Sequence, residues 1–330
     1  MSAIKRVISG VLLLGLVVLA EFGAAQESAE PAESPPRAGL VDSSHEKISS
    51  HVEAFLRKAD ALFAGPDSSD APNESYIQLG GAMTFVRPKD GDHDLRALIR
   101  AKIRLPRTND KLQLIVDRGL DTLTRSQSET EADRALRRRE VDDDLFVGLR
   151  AVFSDTFKVN LSADTGLRLK GTSLDPYVRG RAQRIFEAGQ WRIPLSETLL
   201  WRRADGASAA TDLAFVREVS PSTILILASN ATFRDSNDYF DLSEVITLSR
   251  RLNDRSLIAA EAGAFARTKP AIEATTYTLA LRYRRRAHRD WMVMEIRPQI
   301  SYPREQHYDP VPSLTLQLEA YFGKGKFPEP

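Results

Sequence analysis

The feature that most constrains this chain is an alternation of apolar and polar residues with a period of two, which is clearest in its last strand-like segment. Apolar residues occupy every second position there, at Leu314, Leu316, Leu318, Ala320 and Phe322. Successive side chains of a β-strand point to opposite faces, so the segment has one apolar face and one polar face. The same pattern recurs, between short turns, from residue 76 to residue 322. It predicts an all-β fold, a transmembrane antiparallel up-and-down β-barrel.

The number of alternating segments predicts the size of this barrel. The sequence contains about fourteen of them, and single-chain barrels have an even number of strands. The stretches 177–188 and 239–252 alternate poorly, which leaves about twelve strands as the alternative. A soluble β-sandwich is the competing fold, but its apolar faces would each need a second sheet to cover them.

Residues 1–25 have the organisation of a cleaved signal peptide. Lys5 and Arg6 precede an apolar core at Val11–Ala20, and the small residues before Gln26 predict cleavage there. The core is shorter than the ~20 apolar residues of a spanning helix, so a helical membrane anchor is the weaker alternative. The chain contains no cysteine, which excludes lipid attachment to a cysteine, a disulfide framework and thiolate metal sites. Export and an apolar-faced barrel together predict the outer membrane of a Gram-negative bacterium.

Two segments separate the signal peptide from the barrel. Residues 26–43 are rich in Glu, Ser, Pro and Ala and are expected to form a disordered linker. In residues 44–65, apolar residues recur at helical spacing, and Ser43 with Glu46 fits a capping box. This predicts an amphipathic periplasmic helix that packs at the mouth of the barrel or inside it. A plug and an oligomerisation helix are the sharper alternatives.

The connections and the aromatic residues predict how the barrel is oriented. Tight turns alternate with longer connections, among them 119–143 and 171–175, and short turns lie on the periplasmic side of such barrels. In this topology the outward-facing aromatic residues collect at the two rims and predict two aromatic girdles. The girdle residues are Phe153, Phe157, Trp191, Trp201, Phe233, Phe240, Tyr277, Tyr283, Tyr302 and Phe322.

The polar faces of the strands are basic. An excess of positive charge on the wall of a water-filled lumen raises the local concentration of anions, so the pattern predicts a passive pore that favours small anionic solutes. The alternative is a narrow barrel in which these residues pair with acids, namely a non-conducting structural or assembly protein of the envelope. The candidate lumen residues are Arg96, Arg100, Lys102, Lys158, Arg168, Arg179, Arg181, Arg282 and Arg297.

The sequence gives little sign of catalysis. An outer-membrane lipid hydrolase needs an outward-facing His–Ser pair with a third group that orients the imidazole, and no predicted strand has one. His307 lies near Glu305 and Asp309, but one histidine and two acids in a loop are a weak metal signal. We therefore expect no enzyme activity, no catalytic residue, no metal and no cofactor.

The expected partners belong to the envelope. Outer-membrane lipids would surround the barrel, and the arginines of loop 119–143 could meet lipopolysaccharide phosphates. Nucleic acid is excluded as a partner, because the basic residues alternate along strands and face the lumen. The sequence does not indicate an oligomeric state.

The C-terminal third contains a distinctive set of segments: the basic run at 282–286, residues 288–291, residues 303–305 and the ending at 318–323. In these segments the chain resembles an uncharacterised family of proteobacterial outer-membrane barrel proteins. The resemblance implies a signal peptide, a short helix and a barrel, here over residues 75–323, that ends in Phe-Gly. It also implies that the C-terminal strand is read by the outer-membrane assembly machinery, although this chain continues through a tail at 324–330. The family implies no activity.

Overall fold

The protein folds into a closed barrel of fourteen strands in which every neighbouring pair is antiparallel. The structure is a computed structural model. It describes residues 45, 46, 49, 50, 76–86, 93–104, 112–118, 145–153, 159–171, 173–236, 238–288 and 290–322. The strands are β1 (Tyr76–Val86), β2 (His93–Arg104), β3 (Leu112–Arg118), β4 (Leu145–Phe153), β5 (Val159–Lys170), β6 (Ser173–Ala188), β7 (Trp191–Arg202), β8 (Gly206–Ser220), β9 (Thr223–Arg234), β10 (Tyr239–Asn253), β11 (Ser256–Arg267), β12 (Glu273–His288), β13 (Met292–Pro303) and β14 (Val311–Phe322).

Each strand pairs with the next one in sequence, and β1 pairs with β14 to close the wall. At this seam, Ile77 is opposite Phe322 and Val86 is opposite Ser313. The predicted fold and the count of fourteen strands are therefore confirmed, and the twelve-strand alternative is wrong. The poorly alternating stretches 177–188 and 239–252 belong to β6 and β10. Both strands pair with a neighbour on each side, and this pairing holds them in the sheet.

The two faces of the wall differ sharply in composition. One face bears exposed apolar side chains such as Leu199, which is 67% exposed, and Leu318, which is 51% exposed. The other face bears buried polar and charged side chains such as Arg179 and Glu319. In a closed barrel the exposed apolar face is the exterior and the polar face lines the lumen, as the alternation along each strand requires.

The connections define two ends of the barrel. At the short-turn end, the strand pairs β6–β7, β8–β9 and β10–β11 are joined by two residues each; the first of these turns contains Gly189 with φ +61°, which favours glycine. The opposite end, the loop end, has the connections 87–92, 119–144 and 304–310. The predicted longer connection at 171–175 is wrong, because β6 already begins at Ser173 and only residues 171–172 join it to β5.

An apolar cluster lies on the exterior of β1 to β4 and β14. It contains Ile77, Ala101, Val116 and Phe322, all of them buried. Beside it, the ring of His45 stacks on Trp291 at 4.1 Å and on Phe322 at 5.0 Å, and its Nε2 lies 2.9 Å from the carbonyl oxygen of Tyr321. A residue that precedes the barrel in sequence is thus packed against the end of the closing strand.

The described part of the N-terminal region is short. Residues 45–46 and 49–50 are helical, within the predicted 44–65 helix. The predicted signal peptide (1–25), linker (26–43), remaining helix and C-terminal tail (324–330) lie outside the described residues. None of the helical residues described belongs to a helix that is long and apolar enough to cross a membrane.

Candidate pore lumen

The most buried charged group of the lumen centres on Asp164 of β5. Its carboxylate accepts two hydrogen bonds from Arg150 of β4, from Nε at 2.7 Å and from Nη2 at 3.1 Å, and it also contacts the guanidinium of Arg179 from β6. All three side chains are no more than 5% exposed. The arrangement follows from the register, because Asp164 is directly opposite Arg150 on one side and Arg179 on the other.

A second ion-pair group lies nearer the loop end. Arg168 of β5 contacts Asp175 of β6 at 3.1 Å and Asp205 of the β7–β8 connection at 2.7 Å. Arg202 also binds Asp205, at 3.1 Å. The backbone N–H of Ala204 donates to Asp175 at 3.0 Å, so this connection is tied to the inner wall by both charge and backbone hydrogen bonding.

The opposite side of the lumen, formed by β11 to β14, has a more extended network. Arg284 donates to Glu319 at 2.7 Å and to Glu295 at 3.2 Å, and Arg282 contacts Glu261 at 3.4 Å and Glu295 at 3.9 Å. Arg282 of β12 therefore lies between carboxylates on its two neighbouring strands, whereas Arg284 contacts Glu295 of β13 and reaches Glu319 one strand further, on β14. The hydrogen bonds of Arg284 are charge-assisted, a kind about twice as strong as neutral hydrogen bonds, and together with the ion pairs of Arg282 they link four consecutive strands across the inner wall.

Three residues extend this network. The hydroxyl of Tyr321 donates to Glu319 at 2.7 Å, and Arg297 contacts Glu261 at 3.4 Å. Across the seam on β2, Arg100 donates to Gln78 of β1 at 3.1 Å. The side chain of Arg297 is 22% exposed, which makes it more solvated than Arg282 and Arg284.

An apolar cluster interrupts the charged lining. Ile115 of β3, Phe146 of β4 and Tyr177 of β6 form a buried group, and Leu200 of β7 packs against it. The sequence prediction missed this cluster, because each of its residues lies in an alternating strand where a single apolar residue on the polar face carries no distinct signal.

The burial of the lining shows how closely its side chains are packed at this level. Side chains that face a wide, water-filled channel are exposed, yet Arg179 is 2% exposed and Arg282 is 1% exposed. On β8 and β9 a further lumen-facing cluster includes Ala214 and Ile226, both fully buried. These side chains of the central lining are therefore packed against their neighbours and do not stand free in a wide channel.

The structure places most of the predicted lumen residues on the inner face. Arg168, Arg179, Arg181, Arg282, Arg100 and Arg297 face the lumen and have the contacts given above, with Arg181 donating from Nε to Ser196 at 2.7 Å. Arg96 and Lys102 lie on β2, where they pair with Ala82 and Tyr76 of β1. Lys158 lies outside the described residues. Arg150, Asp175 and Glu261 were not among the predicted lumen residues, and they became identifiable only through their contacts.

The predicted girdle residues face outward. Trp201, Phe233, Phe240, Tyr277 and Tyr302 lie near the loop end, and the rings of Phe233 and Phe240 are 5.2 Å apart. Phe153, Trp191, Tyr283 and Phe322 lie near the short-turn end. Phe322 differs from the rest, because it is 1% exposed under His45. Phe157 lies outside the described residues.

Polar side chains interrupt the described exterior on β7 to β10. On adjacent strands, the hydroxyl of Thr211 donates to Glu197 at 2.9 Å and the hydroxyl of Ser229 donates to Glu244 at 2.6 Å. Both glutamates are exposed on the same face as the apolar band. Glu197 lies four residues from Trp201, which places its carboxylate well below the aromatic rim, where acyl chains would surround it.

Comparison with known proteins supports the fold. The structure of OprB from Pseudomonas putida at high pH is similar with a TM-score of 0.51, 10% identity, and coverage of 80% of this chain and 96% of that chain. OmpT of Vibrio cholerae, expressed in the outer membrane, has a TM-score of 0.47 at 9% identity, over 78% of this chain and 100% of that one. The outer membrane channel DcaP of Acinetobacter baumannii has a TM-score of 0.44 at 7% identity, over 78% and 100%. No family model matches the chain, and no curated protein sequence matches it.

Proposed function

We propose that this protein is a channel of the Gram-negative outer membrane with a narrow, basic bore that favours small anionic solutes. The observation that carries the proposal is the lining of the closed barrel. In its central part, arginines outnumber carboxylates among the described lumen-facing residues. They are Arg100, Arg150, Arg168, Arg179, Arg181, Arg282, Arg284 and Arg297 against Asp164, Asp175, Asp212, Glu261, Glu295 and Glu319.

The exterior supports the membrane location. Its exposed leucine, isoleucine and valine side chains form a band between outward-facing aromatic residues at the two ends, as a transmembrane barrel requires. The signal peptide predicted at residues 1–25 is the proposed route of export, and the short-turn end is proposed to face the periplasm.

The proposal describes a non-catalytic protein without a metal or cofactor. Lipid and lipopolysaccharide remain its proposed surroundings, and the assembly machinery remains the proposed reader of β14. Hydrolysis of phospholipid by the purified, folded protein would contradict this part of the proposal.

Selectivity in a planar bilayer tests the function. The purified protein is inserted under a KCl gradient, and the reversal potential gives the chloride-to-potassium permeability ratio. We expect a ratio above one that falls in Arg181→Gln and in Arg297→Gln, because both side chains are partly solvated and face the lumen. Arg285→Gln is the matched control, since this exposed residue lies on β12 next to Arg284 but on the outer face. Preference for potassium in the wild-type protein would refute the proposal.

A non-conducting envelope barrel is the second candidate, and one observation favours it. The central arginines lie in dense ion-pair networks with their carboxylates and are nearly all buried. Such networks can fill a closed barrel instead of lining an open one. Complete absence of conductance steps from protein whose gel mobility changes on boiling, as folded barrels show, would favour this candidate.

A further inference from the structure

Four arginines point outward on alternate strands of the wall, and we call them the arginine belt. They are exposed, and they are Arg184 of β6, Arg217 of β8, Arg250 of β10 and Arg285 of β12. The register fixes their direction, because Arg217 is directly opposite the outward-facing Trp191. On the described strands β4 to β14, every other arginine and lysine has an inward-facing position.

The belt lies at one level near the short-turn end. Arg217, Arg250 and Arg285 each lie three residues before the last residue of their strand, and Arg184 lies four before it. At ~3.3 Å per residue on strands tilted by ~40°, this level is roughly 8–10 Å from the turns. The polar layer that borders the hydrocarbon core of a bilayer is about 5–8 Å thick on each side. The belt is therefore placed where the exterior of the barrel meets lipid headgroups.

The stagger of the strands keeps the belt at this level. On β9, the residue opposite Arg250 is Thr223. The residue opposite Arg217 is Leu225, two positions further from the turn. The offset between the partners of successive belt arginines is also two positions on β11 and is four on β7, always in the same direction. Because tilted strands in a closed barrel are staggered in this way, the belt follows the rim instead of climbing the wall.

Aromatic rings lie under two of the guanidinium groups. The guanidinium carbon of Arg184 is 4.7 Å from the ring centroid of Phe186, and that of Arg217 is 5.7 Å from the ring centroid of Trp191. A cation over an aromatic ring is favourable. Long basic side chains at a membrane border lay their apolar stems on such surfaces and keep the charged group at the headgroup level. The geometry of the belt fits this arrangement.

The belt lacks the carboxylates that neutralise the arginines of the inner face. Arg179 and Arg282 each contact a carboxylate on a neighbouring strand. Within the described part of the chain, no ion pair joins a belt arginine to a carboxylate, and Arg217 donates only to the amide oxygen of Gln190, at 2.7 Å. The positive charge of the belt is therefore available to an anionic ligand that approaches from outside.

We propose that the arginine belt binds the phosphate groups of anionic phospholipids in the membrane leaflet at the short-turn end. The inference goes beyond the proposed channel function and needs only the membrane location. A guanidinium matches two phosphate oxygens with a pair of parallel hydrogen bonds. Phosphatidylglycerol fits better than phosphatidylcholine, because the choline ammonium of the latter is repelled by the belt. The preference is one-sided, since the outer face of β4 to β14 has no arginine or lysine near the loop end.

Quenching of tryptophan fluorescence by brominated lipids tests the inference. The protein is reconstituted in vesicles of dioleoylphosphatidylcholine in which a fixed fraction of the lipid is brominated phosphatidylglycerol or brominated phosphatidylcholine. Trp201→Phe leaves Trp191 as the reporter beside the belt, because Trp291 is only 9% exposed. We expect phosphatidylglycerol to be preferred at Trp191 by about two- to fivefold at low salt, and less so as salt rises. Trp191→Phe leaves Trp201 as the reporter at the loop end, where the two lipids are expected to quench equally.

Two double variants show whether the belt causes the preference. Arg184→Gln with Arg217→Gln is expected to bring the preference at Trp191 close to one. The matched control is Arg192→Gln with Arg251→Gln, which removes the same charge near the same end of the barrel but from the inner face. This control is expected to keep the preference of the wild type. Gel mobility without boiling checks the fold, and Arg217→Gln alone, with a partial loss expected, serves if the outer-face double variant does not fold.

The outcomes are distinct from those of the channel experiment. Loss of the preference in the outer-face variant alone supports the belt. Equal quenching of Trp191 by the two lipids in the wild type overturns it. The same preference in both double variants, or its loss in both, also overturns it, because the outer-face arginines then have no specific effect. The measurement needs no conductance, so failure of the belt leaves the channel in place, and a silent bilayer leaves the belt in place.

Discussion

Replacement of Asp164 by asparagine gives the sharpest test of the lumen chemistry. The carboxylate lies between the guanidinium groups of Arg150 and Arg179 and is almost fully buried with them. At an effective dielectric constant of about 20, two unit charges about 4 Å apart attract each other by about 4 kcal/mol. Asparagine keeps the shape of the side chain but loses this attraction to both arginines, whose like charges then repel each other.

Part of that loss is offset, because the neutral amide no longer carries the desolvation cost of a buried carboxylate. Removal of one partner from a buried ion pair typically costs about 3–5 kcal/mol, so we expect Asp164→Asn to lower the free energy of unfolding by about 3 kcal/mol. The assay is urea-induced unfolding of the protein in lipid vesicles, followed by tryptophan fluorescence and by gel mobility without boiling.

The matched control is Asp238→Asn at the loop end. Asp238 also forms an ion pair, with Lys269, but the two side chains are 79% and 55% exposed. Exposed pairs contribute about 0–1 kcal/mol, so the control is expected to unfold close to the wild type. If Asp164→Asn also unfolds within about 1 kcal/mol of the wild type, the buried pairs do not hold the inner wall together as described.

Three further outcomes are expected. Gly148→Ala should lower the free energy of unfolding in vesicles by about 1–3 kcal/mol through overpacking against Tyr177. Gly180→Ala is the control and should not lower it, because a Cβ atom there would meet nothing within 4 Å. Equal effects of the two substitutions would contradict the close approach of Tyr177 to Gly148. His45→Ala should speed amide hydrogen exchange at Tyr321, because it removes the ring contacts with Trp291 and Phe322 and the hydrogen bond to the Tyr321 carbonyl oxygen. Unchanged exchange would show that these contacts do not protect the seam. Glu197→Leu should raise the urea midpoint in vesicles, because a lipid-facing carboxylate is destabilising, and a lower midpoint would indicate that Glu197 contacts protein or water instead of acyl chains.

The architecture could be predicted from the sequence because the geometry of a barrel strand produces a local pattern of apolar and polar residues. A period of two is set by the backbone of each strand alone, so the strands and the lumen-facing side of Arg179 or Arg282 follow from neighbouring residues. The exceptions are instructive. β6 and β10 alternate poorly, and their place in the sheet depends on hydrogen bonding to both neighbours.

The partners of the lumen residues could not be predicted in the same way. Arg284 and Glu319 are 35 residues apart in sequence, and their contact depends on the register of three strands. Tyr177 reaches Gly148 across a whole intervening strand because Gly166 has no side chain. Such contacts depend on how far each strand is shifted along its neighbour, and a one-residue slip would turn every side chain to the other face.

The wall of the barrel becomes a closed ring only when β14 pairs with β1. Until β14 is in place, the growing sheet has two open edges, each a row of unpaired backbone N–H and C=O groups that invites association with other chains. The pairs Ile77–Phe322 and Val86–Ser313 join residues at opposite ends of the barrel sequence. Closure therefore depends on contacts between residues far apart in sequence, and such contacts are slow to form. The wall therefore cannot close, and its two edges stay unpaired, until β14 is available to pair with β1.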